Sequence, residues 1–164
     1  MFDTVDTNYH ATFQFKNVTA DHAYTFSFYA KSGSLTQAGA QFGVSPGATD
    51  SLLDACEAQG LPMLPGAATA SEAMRLLARG YDMLKFFPAE ASGGAPALKA
   101  IGAPLPQISF CPTGGVSPDN ANSYLSLSNV VCAGGSWVAP SKLVEAGDWD
   151  AIRDLARAAS QLAR

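Results

Sequence analysis

No window of the chain approaches the roughly 20 consecutive apolar residues that a membrane helix needs, and Met1 to His10 carry neither a basic n-region nor a long apolar h-region. Neither a membrane partner nor a secretory leader is expected, and the expected location is cytoplasmic. Charge is sparse as well. Only 15% of the residues are charged, the net charge is -4 and the pI is near 4.9, which leaves no broad basic surface for nucleic acid. A small anionic molecule is still compatible with this balance, because a local phosphate site needs no positive excess overall. Cys56, Cys111 and Cys132 are an odd number without C-x-x-C spacing. Each lies in or beside an apolar run, the pattern of reduced, buried thiols. No metal site is expected.

What is present is apolar bulk. Of the 164 residues, 48% are hydrophobic, enough to bury one sizeable core. Two unlike patterns divide the chain. From Ala11 to Lys16 and from Tyr24 to Lys31, apolar and polar residues alternate, and Asn17 to Ala23 between them offers no helical stripe. That predicts an antiparallel β-hairpin within residues 1–34, closed by Ser32-Gly33-Ser34.

From residue 35 to 164 short apolar strands alternate with alanine-rich helical stretches, the signature of repeated βα units. Strands are expected at Phe42 to Ser45, Leu61 to Leu64, Met83 to Phe87, Gln107 to Cys111 and Val130 to Ala133, each followed by Pro or Gly. Helices are expected over Asp50 to Gln59, Ala70 to Arg79, Gly94 to Ala100, Asn120 to Leu127 and Asp150 to Leu162. Thr49 and Thr69 stand where N-caps belong.

Lys85 is the most informative residue, because it sits inside the apolar run Met83-Leu84-Lys85-Phe86-Phe87. Burying an ammonium is costly, so this setting is expected to lower its pKa and leave a share of neutral amine. Such an amine is a nucleophile toward ketones, and a strand holds it rigidly. Lysines in strands also snorkel to the surface or pair with acids, so the residue decides nothing alone. Its context does more. The run continues Pro88-Ala89-Glu90-Ala91-Ser92-Gly93-Gly94, then Phe110-Cys111-Pro112-Thr113-Gly114-Gly115, then Gly134-Gly135-Ser136-Trp137.

This ordered set, with Val44-Ser45-Pro46-Gly47 and Leu64-Pro65-Gly66 before it, resembles the KDPG aldolases, also called KHG/KDPG aldolases, from about Gln37 to the end. The resemblance implies a partial (β/α)8 TIM barrel of about five C-terminal βα units behind the N-terminal hairpin. It implies a commonly trimeric enzyme that uses no metal or cofactor beyond a covalent lysine imine. The substrate implied is a phosphorylated keto acid, 2-keto-3-deoxy-6-phosphogluconate (KDPG), cleaved to pyruvate and glyceraldehyde 3-phosphate. Lys85 would form the imine. Thr113 resembles the family's substrate-contacting threonine near the pyruvyl end, and Pro88, closing the lysine strand, is the other expected substrate contact.

Gly114, Gly115, Gly134, Gly135 and Ser136 follow the last two strands. In (β/α)8 barrels those two loops commonly cradle phosphate, since glycine lets backbone NH groups approach the oxygens. Glu90 has already left the strand and is expected to face solvent or cap the next helix. The family's first three βα units carry a proton-shuttling glutamate and an arginine for the substrate carboxylate. Phe13 to Lys31 contains no glutamate, and the first arginine is Arg75. Two further readings follow: an aldolase-derived phosphate-binding protein without catalysis, and an aldolase for 4-hydroxy-2-oxoglutarate.

Overall fold

A computed structural model describes residues 42–162; the expected hairpin lies outside the described residues. Within them short parallel strands alternate with helices, an α/β arrangement. Strand β1 (Gly43–Val44) leads through helix α1 (Asp50–Ala58) to β2 (Met63–Leu64) and β3 (Gly66–Ala67). Then follow α2 (Ala70–Ala78), β4 (Met83–Phe86), α3 (Gly94–Gly102), β5 (Ser109–Pro112) and α4 (Ala121–Leu125). A 3-10 turn (Ser136–Val138), α5 (Ser141–Ala146) and α6 (Trp149–Ala159) complete the order. Sequence reading missed the turn and α5, which are too short to show a periodic stripe.

Every strand pairing is parallel. β1 pairs β2 with Gly43 opposite Met63, and β4 lies between β3 and β5 with Gly66, Lys85 and Cys111 in one row. The second expected strand, Leu61 to Leu64, forms β2 at its end and pairs β1, while beyond Pro65 a further short strand that the sequence did not suggest, β3, pairs β4. The Pro65 carbonyl still accepts from Lys85 N at 2.9 Å. The expected strand at Val130 to Ala133 is corrected. It makes only two isolated bridges, Phe110 to Val130 and Thr113 to Gly134. One side advances by one residue more than the other between them, and such a bulge interrupts the ladder.

Thr49 and Thr69 do cap α1 and α2, accepting from Leu52 N and Glu72 N. The Glu72 carboxylate returns the contact to Thr69 N at 2.9 Å, completing a capping box. At the far end of α2, Arg79 reaches Asp54 at 2.6 Å and Glu57 at 2.8 Å on α1. These ion pairs are solvent-facing and therefore screened by salt. Arg79→Ala should lower the melting temperature at low ionic strength, and the deficit should shrink in about 1 M salt, where the Debye length falls to about 3 Å.

The core lies between the sheet and the helices. Leu84 and Phe86 of β4, Ile108 and Phe110 at β5, and Leu53, Leu76, Leu98 and Tyr124 from the helices are all buried. Because side chains alternate along a strand, Met83 and Lys85 point to the opposite face and are half-buried.

Candidate active site

Lys85 sits on this opposite face of the middle strand, β4, flanked by β3 and β5. Side chains of paired residues in parallel strands project to the same side, so its neighbours there are Gly66 and Cys111. Gly66 contributes no side chain for a reason that can be measured. A Cβ there would stand 2.2 Å from the Pro46 carbonyl and 2.6 Å from Gly47 N. The Pro46-Gly47 turn thus folds down beside the lysine row, and only glycine admits it.

Burial pushes the Lys85 ammonium below its ordinary pKa of 10.5, while negative charge on Cys111 acts the other way. The ammonium also lies 4.6 Å from the centre of the Phe87 ring, whose face attracts a cation. Desolvation is the larger effect, as expected for an amine with no carboxylate within ion-pair reach among the described residues. The result is an amine that loses its proton more readily than a surface lysine.

Beyond β4 the chain turns through a cis Phe87-Pro88 bond and runs alongside the end of β5. Ala89 N donates to Thr113 O at 2.8 Å and Glu90 N to Gly114 O at 3.0 Å, while Thr113 N donates to Phe86 O at 2.9 Å. The predicted pair Pro88 and Thr113 is thereby brought together at the carboxyl ends of the central strands, where ligands of α/β sheets bind. The Thr113 hydroxyl is buried and has no hydrogen-bond partner among the described residues. Buried hydroxyls are seldom left unpaired, and one at a strand end can receive a ligand oxygen.

Gly114 and Gly115 adopt φ values of +92° and +81°, a left-handed backbone that L side chains rarely take. The NH groups of Gly115, Gly135 and Ser136 have no backbone partner among the described residues. Gly134 differs, since its NH is donated to Pro112 O at 2.8 Å. Gly134 therefore ties this loop to β5 through its bridge with Thr113. A Cβ at Gly114 would stand 3.0 Å from the Phe87 ring and 3.2 Å from Pro88 Cα. Gly114→Ala should cost about 1–2 kcal/mol through the left-handed backbone alone, measurable by urea unfolding, and should disturb the Pro88 side of the site as well.

Glu90 lies elsewhere. Its carboxylate accepts from the Tyr124 hydroxyl and lines an outer cavity with Gly93, Lys99, Asn120 and Ser123. Burial and Glu90 together raise the Tyr124 phenol above its ordinary range. The pair links the β4 exit to α4, in keeping with the expectation that Glu90 has left the strand. No group of three metal-ligating side chains occurs among the described residues. Sequence reading did not single out Cys111 or the Gly66 contact with Pro46, because both depend on strand register. Phe87 was legible in principle, two residues from Lys85 on an alternating strand.

The family model for KDPG and KHG aldolase matches residues 27–155, beginning ten residues before the expected Gln37. The chain is 60% identical over 122 residues to the 2-dehydro-3-deoxy-phosphogluconate aldolase of Pseudoalteromonas atlantica, covering 74% of this chain and 57% of that one. It is 51% identical over 130 residues to the KHG/KDPG aldolase of Escherichia coli K12, covering 79% and 61%. A crystal structure of KDPG aldolase from Legionella pneumophila, with pyruvate captured at low pH as a covalent carbinolamine, superposes with a TM-score of 0.73 and 47% identity, covering 77% of this chain and 61% of that one. The chain spans about three fifths of the length of these relatives.

Proposed function

Because the chain belongs to the KDPG and KHG aldolase family, we propose that it is a lysine-dependent aldolase acting on KDPG, with Lys85 as the nucleophile. The observation that carries this reading is the half-buried Lys85 amine, held on β4 with its ammonium acidified by desolvation. The neutral amine attacks the keto carbon to give a carbinolamine, the species captured with pyruvate in the Legionella relative. Loss of water gives the protonated imine. Solvent water takes the proton of the hydroxyl on the carbon to be released, that oxygen becomes the aldehyde oxygen as the carbon-carbon bond one removed from the imine breaks, and the bond's electron pair moves into the protonated imine, releasing glyceraldehyde 3-phosphate and leaving an enamine. Protonation and hydrolysis then release pyruvate and restore the amine.

Thr113 and Pro88 serve the pyruvyl end in this reading. The NH groups of Gly114, Gly115, Gly135 and Ser136, with the Ser136 hydroxyl, hold the phosphate, and Gly134 holds their loop. Residues 42–162 are then the C-terminal βα units of a (β/α)8 barrel, and the working form is a homotrimer in the cytoplasm. Glu90 is engaged with Tyr124 and takes no part in proton transfer. A positioned acid-base group contributes roughly 100- to 10,000-fold, so turnover below that of full-length relatives is expected from residues 42–162 alone.

Pyruvate release from KDPG, followed by a coupled dehydrogenase assay on the purified full chain, tests the reading. Release that depends on KDPG and is inhibited by borohydride with pyruvate supports it. Stabilisation by phosphate without any pyruvate release, in a folded chain, would favour a phosphate-binding protein instead.

A further inference from the structure

Cys111 and Cys132 take no part in the proposed reaction, yet they stand beside its centre. Cys111 is the register partner of Lys85 and is 5% exposed. Cys132 lies between the bridges Phe110 to Val130 and Thr113 to Gly134, on the segment next to β5, and is half-buried. The two cysteine side chains interact with each other, and neither is in a disulfide. Neighbouring strands run about 4.8 Å apart, inside the Cα separation of roughly 4.4–6.8 Å that a disulfide spans. The extra residue between the two bridges leaves this stretch outside a regular ladder, which lets the backbone adjust at Cys132.

We infer that Cys111 and Cys132 form a two-thiol oxidation site that closes to a disulfide with a peroxide as oxidant, and that the closed form disables Lys85. The second half rests on the aldolase reading. The chemistry is ordered by environment. Hydrogen bonding to Cys132 and burial both push the Cys111 thiol above its ordinary range, and the more exposed Cys132 meets the peroxide first. Its thiolate attacks one peroxide oxygen, the O–O bond breaks, and hydroxide leaves to become water. The resulting sulfenic sulfur is attacked by Cys111, which loses its proton as the S–O bond breaks and a second water departs. Two thiols are oxidised and one peroxide is reduced.

The consequence for Lys85 is mechanical. Bond formation draws the two sulfurs to about 2.05 Å, shifting β5 against the bridging segment at the residue beside the amine. A displacement of about 1 Å near a reacting group costs up to roughly 100-fold in rate.

The test uses the full chain, hydrogen peroxide and a thiol alkylating reagent. Both cysteines fall in one tryptic peptide, 100–142, with no internal Lys or Arg. After peroxide this peptide should be lighter by two hydrogens and refuse alkylation, while Cys56 in its own peptide still alkylates. Pyruvate trapping on Lys85 should slow roughly 10- to 100-fold and recover with dithiothreitol. Cys132→Ser should trap pyruvate in the same way before and after peroxide. Two alkylatable thiols after peroxide would overturn the site, and a bridged protein that traps pyruvate as fast as the dithiothreitol-treated protein would overturn its effect on Lys85. Reduced protein that traps nothing would sink the aldolase reading and the second half with it, while the peptide masses still decide the first.

Discussion

Lys85→Met should abolish pyruvate trapping and lower KDPG cleavage by at least about 1,000-fold, since deleting the nucleophile of a covalent enzyme can cost on the order of 10⁶ in turnover. The same variant should be more resistant to heat at neutral pH. Methionine fills a comparable volume without an ammonium to desolvate, and burial is the leading cause of the lowered Lys85 pKa. The pH dependence fixes the sign. With the folded pKa below the ordinary 10.5, the unfolded chain binds more protons between the two values. The burial cost is therefore fully present below the folded pKa and is relieved as pH rises through that window. Wild-type stability should climb toward that of Lys85→Met in alkali, as read by denaturant melts of both proteins across pH. A variant less stable than wild type at neutral pH would mean that the ammonium is favourably held.

Phe110→Ala should destabilise the fold by about 3–5 kcal/mol, the usual cost of deleting a buried aromatic and leaving a cavity. Phe110 is fully buried, pairs with Leu84 across the sheet, and carries the bridge to Val130. Its backbone NH reaches Asn129 O at 2.7 Å, and its side chain belongs to the same buried cluster as Leu84 and Val130. Native domains have only about 5–15 kcal/mol in hand, and the melting temperature should fall by on the order of 10 °C. A loss below about 1 kcal/mol would mean that the packing around β5 is not what holds the sheet to its helices.

The alternation of strands and helices was legible because each expected apolar run is followed by Pro or Gly and two of the following helices start at a threonine cap. Those caps are Thr49 and Thr69, confirmed by their side-chain bonds to Leu52 N and Glu72 N. Local composition could not show which backbone groups pair. Pro65 separates β2 from β3, which lie in different sheets, and the extra residue near Cys132 reduces an expected strand to bridges. The sequence named candidate positions, Lys85, Pro88, Thr113 and the glycine loops, and the structure brings Pro88 and Thr113 together. The environment of these positions was not legible, since the Cys111 neighbour, the Pro46 approach to Gly66 and the use of the Gly134 NH all follow from register.

The most direct measurement is borohydride reduction of the full chain in pyruvate, followed by peptide mass mapping. A reduced pyruvyl adduct on Lys85, absent without borohydride and absent from the other lysines, is the predicted result. A folded chain with no adduct, or an adduct on a surface lysine such as Lys99 in place of Lys85, would contradict the assignment of Lys85 as the nucleophile.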